Sequence, residues 1–320
     1  MFSKRISIKE LDEILIFLNL ASLLEISGSP KPGNVHRTHD FRDTRFEHFL
    51  AGISSIQPSF TEFCSRIYNN YDPIENNLDC INIGDFYLSA AEKMMKYQEG
   101  GNVLLGHILI LGPLSAAVCI CLKKKDFTFN TFKSVLWELI SNASVEDTIL
   151  LYKAINKCDP GGLGKISKYD LNNEESLVEI RKDRIKLKQI FELSKDYDMI
   201  SYEYATGFKI TLTEALPYFF MIYEKERDIN IASVNTFIKI LSDHPDTLII
   251  RKAGKKKAIE VSNKAKQIIS LGGLNSTKGL KLINALDDEL QKESGMLNPG
   301  TTADLLVGVL FLALIFGLRF

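Results

Sequence analysis

The stretch LLGHILILGPLSAAVCICL, residues 104–122, runs for 19 positions without a charged side chain. By length alone it could cross a bilayer. It also contains His107, Gly112, Pro113 and Ser115, and a helix that is apolar all round is equally what the centre of a large helical protein requires. The run at residues 305–318 is uncharged for 14 positions, too short to span lipid unaided. The two together predict an all-α protein, a single large multi-helix domain over residues 1–320 with apolar central helices, and no membrane span.

The flanking sequence agrees. Leu11, Ile14, Leu15, Leu18 and Ala21 recur at three- and four-residue steps behind a Ser7-x-x-Glu10 capping pattern. That helix ends where Gly28-Ser29-Pro30 cannot continue it. Thr44-x-x-Glu47 opens a second helix. The same periodicity predicts helices over 85–98, 104–122, 130–141, 145–158, 174–195, 213–226, 231–241, 255–271, 278–292 and 301–317. No segment alternates with period two between hairpin turns; residues 247–250 read as a short strand or as one helical turn.

Composition narrows the function. Of 320 residues 45% are hydrophobic and 25% charged, with a formal net charge of −1, which offers no nucleic-acid footprint. Five cysteines without a Cys-x-x-Cys spacing point to reduced thiols in a cytoplasmic protein. The lysine runs 123–125 and 255–257 read as solvated faces.

The unusual polar residues sit at the breaks between apolar helices. The first break is Glu25-Ile-Ser-Gly-Ser-Pro-Lys31-Pro-Gly-Asn34-Val-His36-Arg37, followed by Thr38-His39-Asp40 and Asp43. A carboxylate in the last turn of a helix is disfavoured by the helix dipole, so Glu25 needs a cation nearby: Lys31, Arg37 or a metal. The prolines stiffen this loop, so a charged ligand could be held at little ordering cost. Gly100-Gly101-Asn102 and Asp159-Pro-Gly-Gly-Leu-Gly-Lys165 could present backbone amides to phosphate, although neither is a P-loop. Pro299-Gly-Thr301-Thr302-Ala-Asp304 suits a helix cap and a magnesium-phosphate group equally. Arg251 and Lys252 add two cations, and Asp198 with Tyr202 and Tyr204 adds polar groups on adjacent turns. No zinc-hydrolase or serine-esterase motif is present.

On these residues the chain resembles the triphosphoribosyl-dephospho-CoA synthases, most closely their archaeal branch. The resemblance rests on Glu25-x-Ser27-x-x-Pro30-Lys31-Pro32-Gly33, Asp159-Pro-Gly-Gly-Leu-Gly, Asp198-x-Ile200-x-x-x-Tyr204, Pro245-Asp246-Thr247 with Arg251-Lys252-x-Gly254, and Pro299-Gly-Thr-Thr-Ala-Asp304-Leu. It departs from the bacterial enzymes at His36, at Gly101-Asn102-Val103 and at Gly300-Thr-Thr. The resemblance implies transfer of the triphosphoribosyl group of ATP to a dephospho-CoA-type acceptor, with release of adenine and with Mg2+ as cofactor. It implies Glu25, Asp43 and His39 as catalytic groups, and Lys31, Asn34, His36, Arg37, Asn102, Arg251, Lys252, Thr301 and Thr302 as substrate or phosphate ligands. Glu25, Asp40, Asp43 and Asp304 would hold the metal. The expected partners are small nucleotide substrates, with neither nucleic acid nor membrane, and the expected assembly is a homodimer. A magnesium-dependent nucleotide hydrolase and a non-catalytic nucleotide-binding helical protein are the rival readings.

Overall fold

The computed structural model describes residues 4–160, 168–173 and 175–320. Among these residues the chain is helical throughout, and the β pairings are two isolated bridges, Arg5 with Thr128 and His36 with His39. The helices are α1 (Leu11–Ser27), α2 (Phe46–Asn70), α3 (Ile83–Lys96), α4 (Leu105–Lys124), α5 (Phe129–Asn142), α6 (Val145–Cys158), α7 (Glu175–Asp183) and α8 (Leu187–Ser194). They continue with α9 (Met199–Thr206), α10 (Leu216–Glu226), α11 (Ile229–Asp243), α12 (Thr247–Ala253), α13 (Lys255–Ser270), α14 (Thr277–Gln291) and α15 (Gly300–Ile315).

The apolar runs are central helices. α4 is long and apolar enough to cross a membrane, and 94% of its most apolar window is buried inside the protein. It packs on α15, α5, α2, α3 and α1, while α15 also packs on α1 and α11. A helix surrounded by other helices has no polar face to offer, which is why its sequence lacks a hydrophobic stripe. One continuous core joins Ile14 of α1 to Leu314 of α15. A smaller cluster gathers Ile149, Tyr152, Tyr169 and Ile180 under α6 and α7.

Two expectations change in detail. Where one helix over 174–195 is expected there are two, Glu175–Asp183 and Leu187–Ser194, because Arg184 adopts φ 53° and turns the chain between α7 and α8. Residues 247–250 open α12 and are not a strand. There the Asp246 carboxylate accepts the amides of Leu248 and Ile249 at 2.8 and 3.1 Å, supplying the acceptor a helix start needs.

Pro113 sits inside α4 and has no N–H for the carbonyl of Leu109, four residues back. The hydroxyl of buried Tyr204 donates to that carbonyl at 2.6 Å and also meets the hydroxyl of Tyr87. Tyr204→Phe is therefore expected to leave a buried carbonyl unpaired and to cost about 1–3 kcal/mol, read as a lowered melting temperature.

Candidate functional site

The C-terminus of α1, the N-termini of α4 and α15, and the loop after α1 meet at a cavity of about 1340 Å³. Single-ligand sites usually enclose about 300–1,000 Å³, so this one has room for two substrates. Its walls include Glu25, Lys31, His107, Arg251, Lys252 and Asp304.

Lys31 supplies the cation that Glu25 requires. The loop folds back beneath α1, and Lys31 Nζ donates to the Glu25 carbonyl at 2.9 Å and to its carboxylate. Both side chains are almost wholly buried. Burial alone would raise the Glu25 carboxyl, but the Lys31 ammonium and the His107 imidazole outweigh it and hold the group below the ordinary carboxylate range. His107 Nε2 lies 3.3 Å from Glu25 Oε2 and 3.9 Å from Asp304 Oδ1, so one ring nitrogen stands between two carboxylates.

Asp304 is the opposite case. Burial, together with the negative charges of Glu25, Asp246 and Asp198, pushes its carboxyl well above the usual range, and Arg251 compensates only in part. Its position depends on Gly106: a Cβ built there would lie 1.9 Å from Asp304 Oδ2. The missing side chain at the start of α4 is the space that the carboxylate of α15 occupies.

A basic patch faces these acids. Arg251 Nη1 reaches Asp198 Oδ1 at 3.3 Å, whereas its buried Nε has no partner. Lys252 Nζ donates to the Gly295 carbonyl at 3.1 Å, and burial followed by the nearby Arg251 lowers its affinity for a proton. The buried Oδ1 of Asn298, also in the cavity wall, has no partner. Unpaired buried polar atoms are costly, and a polar ligand would satisfy them.

Not every residue singled out in the sequence arrives here. His36, Arg37, His39 and Thr302 do not line the cavity. Arg37 is exposed and donates to Asn230 Oδ1 at 3.1 Å. Thr302 turns inward, its amide and hydroxyl both donating to Asp246 Oδ2 at 2.7 and 2.8 Å. Both imidazoles contact Asp287, which removes His39 from the expected catalytic set and His36 from the phosphate ligands. Asn102 lines the cavity, but its Oδ1 caps α4 at the Leu105 amide, 3.1 Å away. The Gly100 amide is taken by Gln98 Oε1 at 2.6 Å. Asn34, Asp40, Asp43 and Thr301 do line the cavity. Of the Asp159–Lys165 loop, Asp159 and Pro160 are in the wall, and 161–165 lie outside the described residues.

Sequence reasoning passed over two residues, His107 and Asp287. His107 is the one histidine in the uncharged 104–122 run, an anomaly visible from the start. Asp287 lies four residues after Ile283 and three before Leu290, both fully buried, so its helical phase already placed it on the inner face of α14.

Comparison with known proteins gives concordant matches. The family description "ATP:dephospho-CoA triphosphoribosyl transferase" matches residues 12–319. A Salmonella gallinarum protein described as a 2-(5''-triphosphoribosyl)-3'-dephosphocoenzyme-A synthase is 30% identical over 92% of this chain and 87% of its own length. A longer Leuconostoc mesenteroides protein, CitXG, is 24% identical, and the match takes in 92% of this chain but 57% of that one. A crystal structure from Archaeoglobus fulgidus, described as a triphosphoribosyl-dephospho-CoA synthase, superposes with a TM-score of 0.62. It is 24% identical and covers 86% of this chain and 100% of its own.

Proposed function

This chain belongs to the ATP:dephospho-CoA triphosphoribosyl transferase family, and we propose that its cavity moves the triphosphoribosyl group of ATP to dephospho-CoA by dividing the work between two unlike carboxylates. The observation that carries this reading is the contrast in surroundings between Glu25, whose carboxylate meets the Lys31 ammonium and lies 3.3 Å from His107 Nε2, and Asp304, which lies 3.9 Å from that ring nitrogen and whose other charged neighbours are mainly acids.

The chemistry requires that contrast. An acceptor hydroxyl attacks the anomeric carbon of the ATP ribose, the bond from that carbon to adenine breaks, and the hydroxyl proton needs an acceptor. Glycosyl transfer of this kind passes through an oxocarbenium-like state. A carboxylate that stays ionised stabilises the developing positive charge, and a second one with a raised pKa handles the proton. Glu25 takes the first role and Asp304 the second. The triphosphate is then held by Arg251, whose buried Nε–H has no protein acceptor, and by Lys252.

The metal assignment needs revision in the light of the contacts. Glu25 Oε1 already meets the Lys31 ammonium, so a divalent ion at that oxygen would face a positive charge. Of the four acids expected to hold the metal, Asp43 and Asp40 are the exposed ones in the cavity wall, although Asp40 Oδ1 already accepts the Phe46 amide at 2.7 Å. Magnesium binds through one or two carboxylates plus substrate phosphates, a description those two acids fit. Bound there, it would neutralise charge on the triphosphate.

The test is incubation with ATP and magnesium, with and without dephospho-CoA. Free adenine appearing only with the acceptor, alongside a product heavier by a triphosphoribosyl group, supports transfer. Adenine appearing equally without it would make the protein a hydrolase. In the same assay Lys252→Met is expected to raise KM for ATP about 10- to 100-fold with little change in kcat, since one charge-assisted phosphate contact contributes about 1.5–3 kcal/mol of binding.

A further inference from the structure

We propose that His36, His39 and Asp287 form a second metal site, for zinc or a similar transition ion, which fastens the Lys31 loop to α14. It lies outside the cavity lining and takes no part in the transfer chemistry proposed above.

The chain builds this site by a local device. His36 and His39 exchange both backbone hydrogen bonds at 3.0 Å, closing a two-residue turn through Arg37 and Thr38. Residues directly opposed in such a pair project their side chains to the same face, and the two imidazoles meet edge to face with centroids 5.4 Å apart. Asp287 enters from α14 and offers one oxygen to both rings: Oδ2 is 3.1 Å from His36 Nε2 and 2.8 Å from His39 Nδ1. The candidate ligand atoms of the three residues all lie within 4.8 Å of one another.

The groups behind the ligands are in place as well. Asp287 Oδ1 accepts the Gly33 amide at 3.0 Å and Gln291 Nε2 at 3.1 Å. His36 Nδ1 meets the Thr38 hydroxyl at 3.0 Å. Metal-bound histidines usually have their second nitrogen fixed in this way. His36 and Asp287 are buried, while the His39 side chain is 41% exposed, which leaves an entry path and a position for water.

Without a cation the same atoms can satisfy one another, with both rings donating to Asp287 and Thr38 donating to His36. A change of tautomer converts this arrangement to the metal-bound one. The His36 proton moves from Nε2 to Nδ1, where it donates to Thr38, and the His39 proton moves from Nδ1 to Nε2, facing solvent. Two lone pairs and a carboxylate oxygen then point inward with no net proton released. Nitrogen and oxygen ligands about 2.0–2.2 Å from zinc stand roughly 3.3 Å apart in a tetrahedron, so each nitrogen needs to draw away from Asp287 Oδ2 by only a few tenths of an ångström, while the two nitrogens, within 4.8 Å of each other, settle at the same spacing. Two imidazoles with one carboxylate favour zinc, cobalt or iron over magnesium.

The test is titration of the dialysed full-length chain with Zn2+, followed by calorimetry and melting temperature, with Co2+ and its visible absorption as the spectroscopic probe. One equivalent is expected to bind and to raise the melting temperature. His39→Ala, at the exposed ligand, should abolish stoichiometric binding without disturbing the core. Thr38→Val, which removes the partner behind His36, should weaken binding by about 10- to 100-fold. Absence of stoichiometric binding to the wild type, or binding that survives His39→Ala and Asp287→Asn alike, would overturn the proposal. The readout is metal bound and not adenine released, so its failure is separate from any failure of the transferase reading.

Discussion

Asp304→Asn is expected to lower acceptor-dependent adenine release by about 10²- to 10⁴-fold, the usual contribution of a positioned acid–base group, while the protein remains folded and as stable as the wild type or more so. The second half of this expectation follows from linkage. The Asp304 carboxyl is raised in the folded protein by burial and by Glu25, Asp246 and Asp198. The native state therefore binds that proton more tightly than the unfolded chain does. Stability from this group falls as pH rises from the ordinary carboxylate value through the raised one, and above it the full penalty applies. Asparagine has the same shape and carries no charge, so it removes the penalty. A melting temperature that is unchanged or higher at neutral pH, combined with lost turnover, identifies a site that has traded stability for function. Glu25→Gln is a poorer probe. It would strand the Lys31 ammonium in a buried position, and breaking a buried pair from one side costs about 3–5 kcal/mol.

Gly106→Ala is expected to be nearly as damaging to activity, although glycine has no side chain to take part in chemistry. The added methyl would fall 1.9 Å from Asp304 Oδ2, far inside van der Waals contact. Either the carboxylate swings away or α4 and α15 separate. α4 is buried from His107 to Leu122 and α15 from Leu305 to Ile315, so the carboxylate is the part able to move. A displacement of about 1 Å in a catalytic group can cost about 10²-fold, with a packing penalty of about 1–3 kcal/mol. The double variant Gly106→Ala/Asp304→Asn separates the two effects. If Gly106 acts through Asp304, adding Gly106→Ala to Asp304→Asn should cost little further activity.

The fold was legible because two long uncharged runs admit few homes. A helix apolar on every side must be surrounded, and the remaining amphipathic helices supply the cover. Helix boundaries set by backbone conformation were harder to read: nothing in residues 174–195 announces that Arg184 will turn left-handed. The site was legible in part. Glu25, Lys31, Arg251, Lys252, Thr301 and Asp304 stand at helix breaks, and the fold brings those breaks to one cavity. The loop histidines were misplaced because proximity in sequence to Glu25 and Lys31 says nothing about the direction of a side chain. The tight turn at Arg37 and Thr38 aims both rings at Asp287 on α14, about 250 residues downstream. His107 was hidden by its surroundings, since a single histidine in an apolar run usually reads as core. Gly106 carries no signal of its own, because its role exists only once Asp304 arrives from α15.

The division of roles between the two carboxylates is tested most directly by the pH dependence of kcat/KM for acceptor-dependent adenine release in the wild type and in Asp304→Asn. The account predicts an acidic limb above the ordinary carboxylate range, with activity rising as Asp304 loses its proton, and predicts that this limb disappears from the residual activity of Asp304→Asn. An acidic limb at the ordinary carboxylate position, present in both proteins, would contradict it.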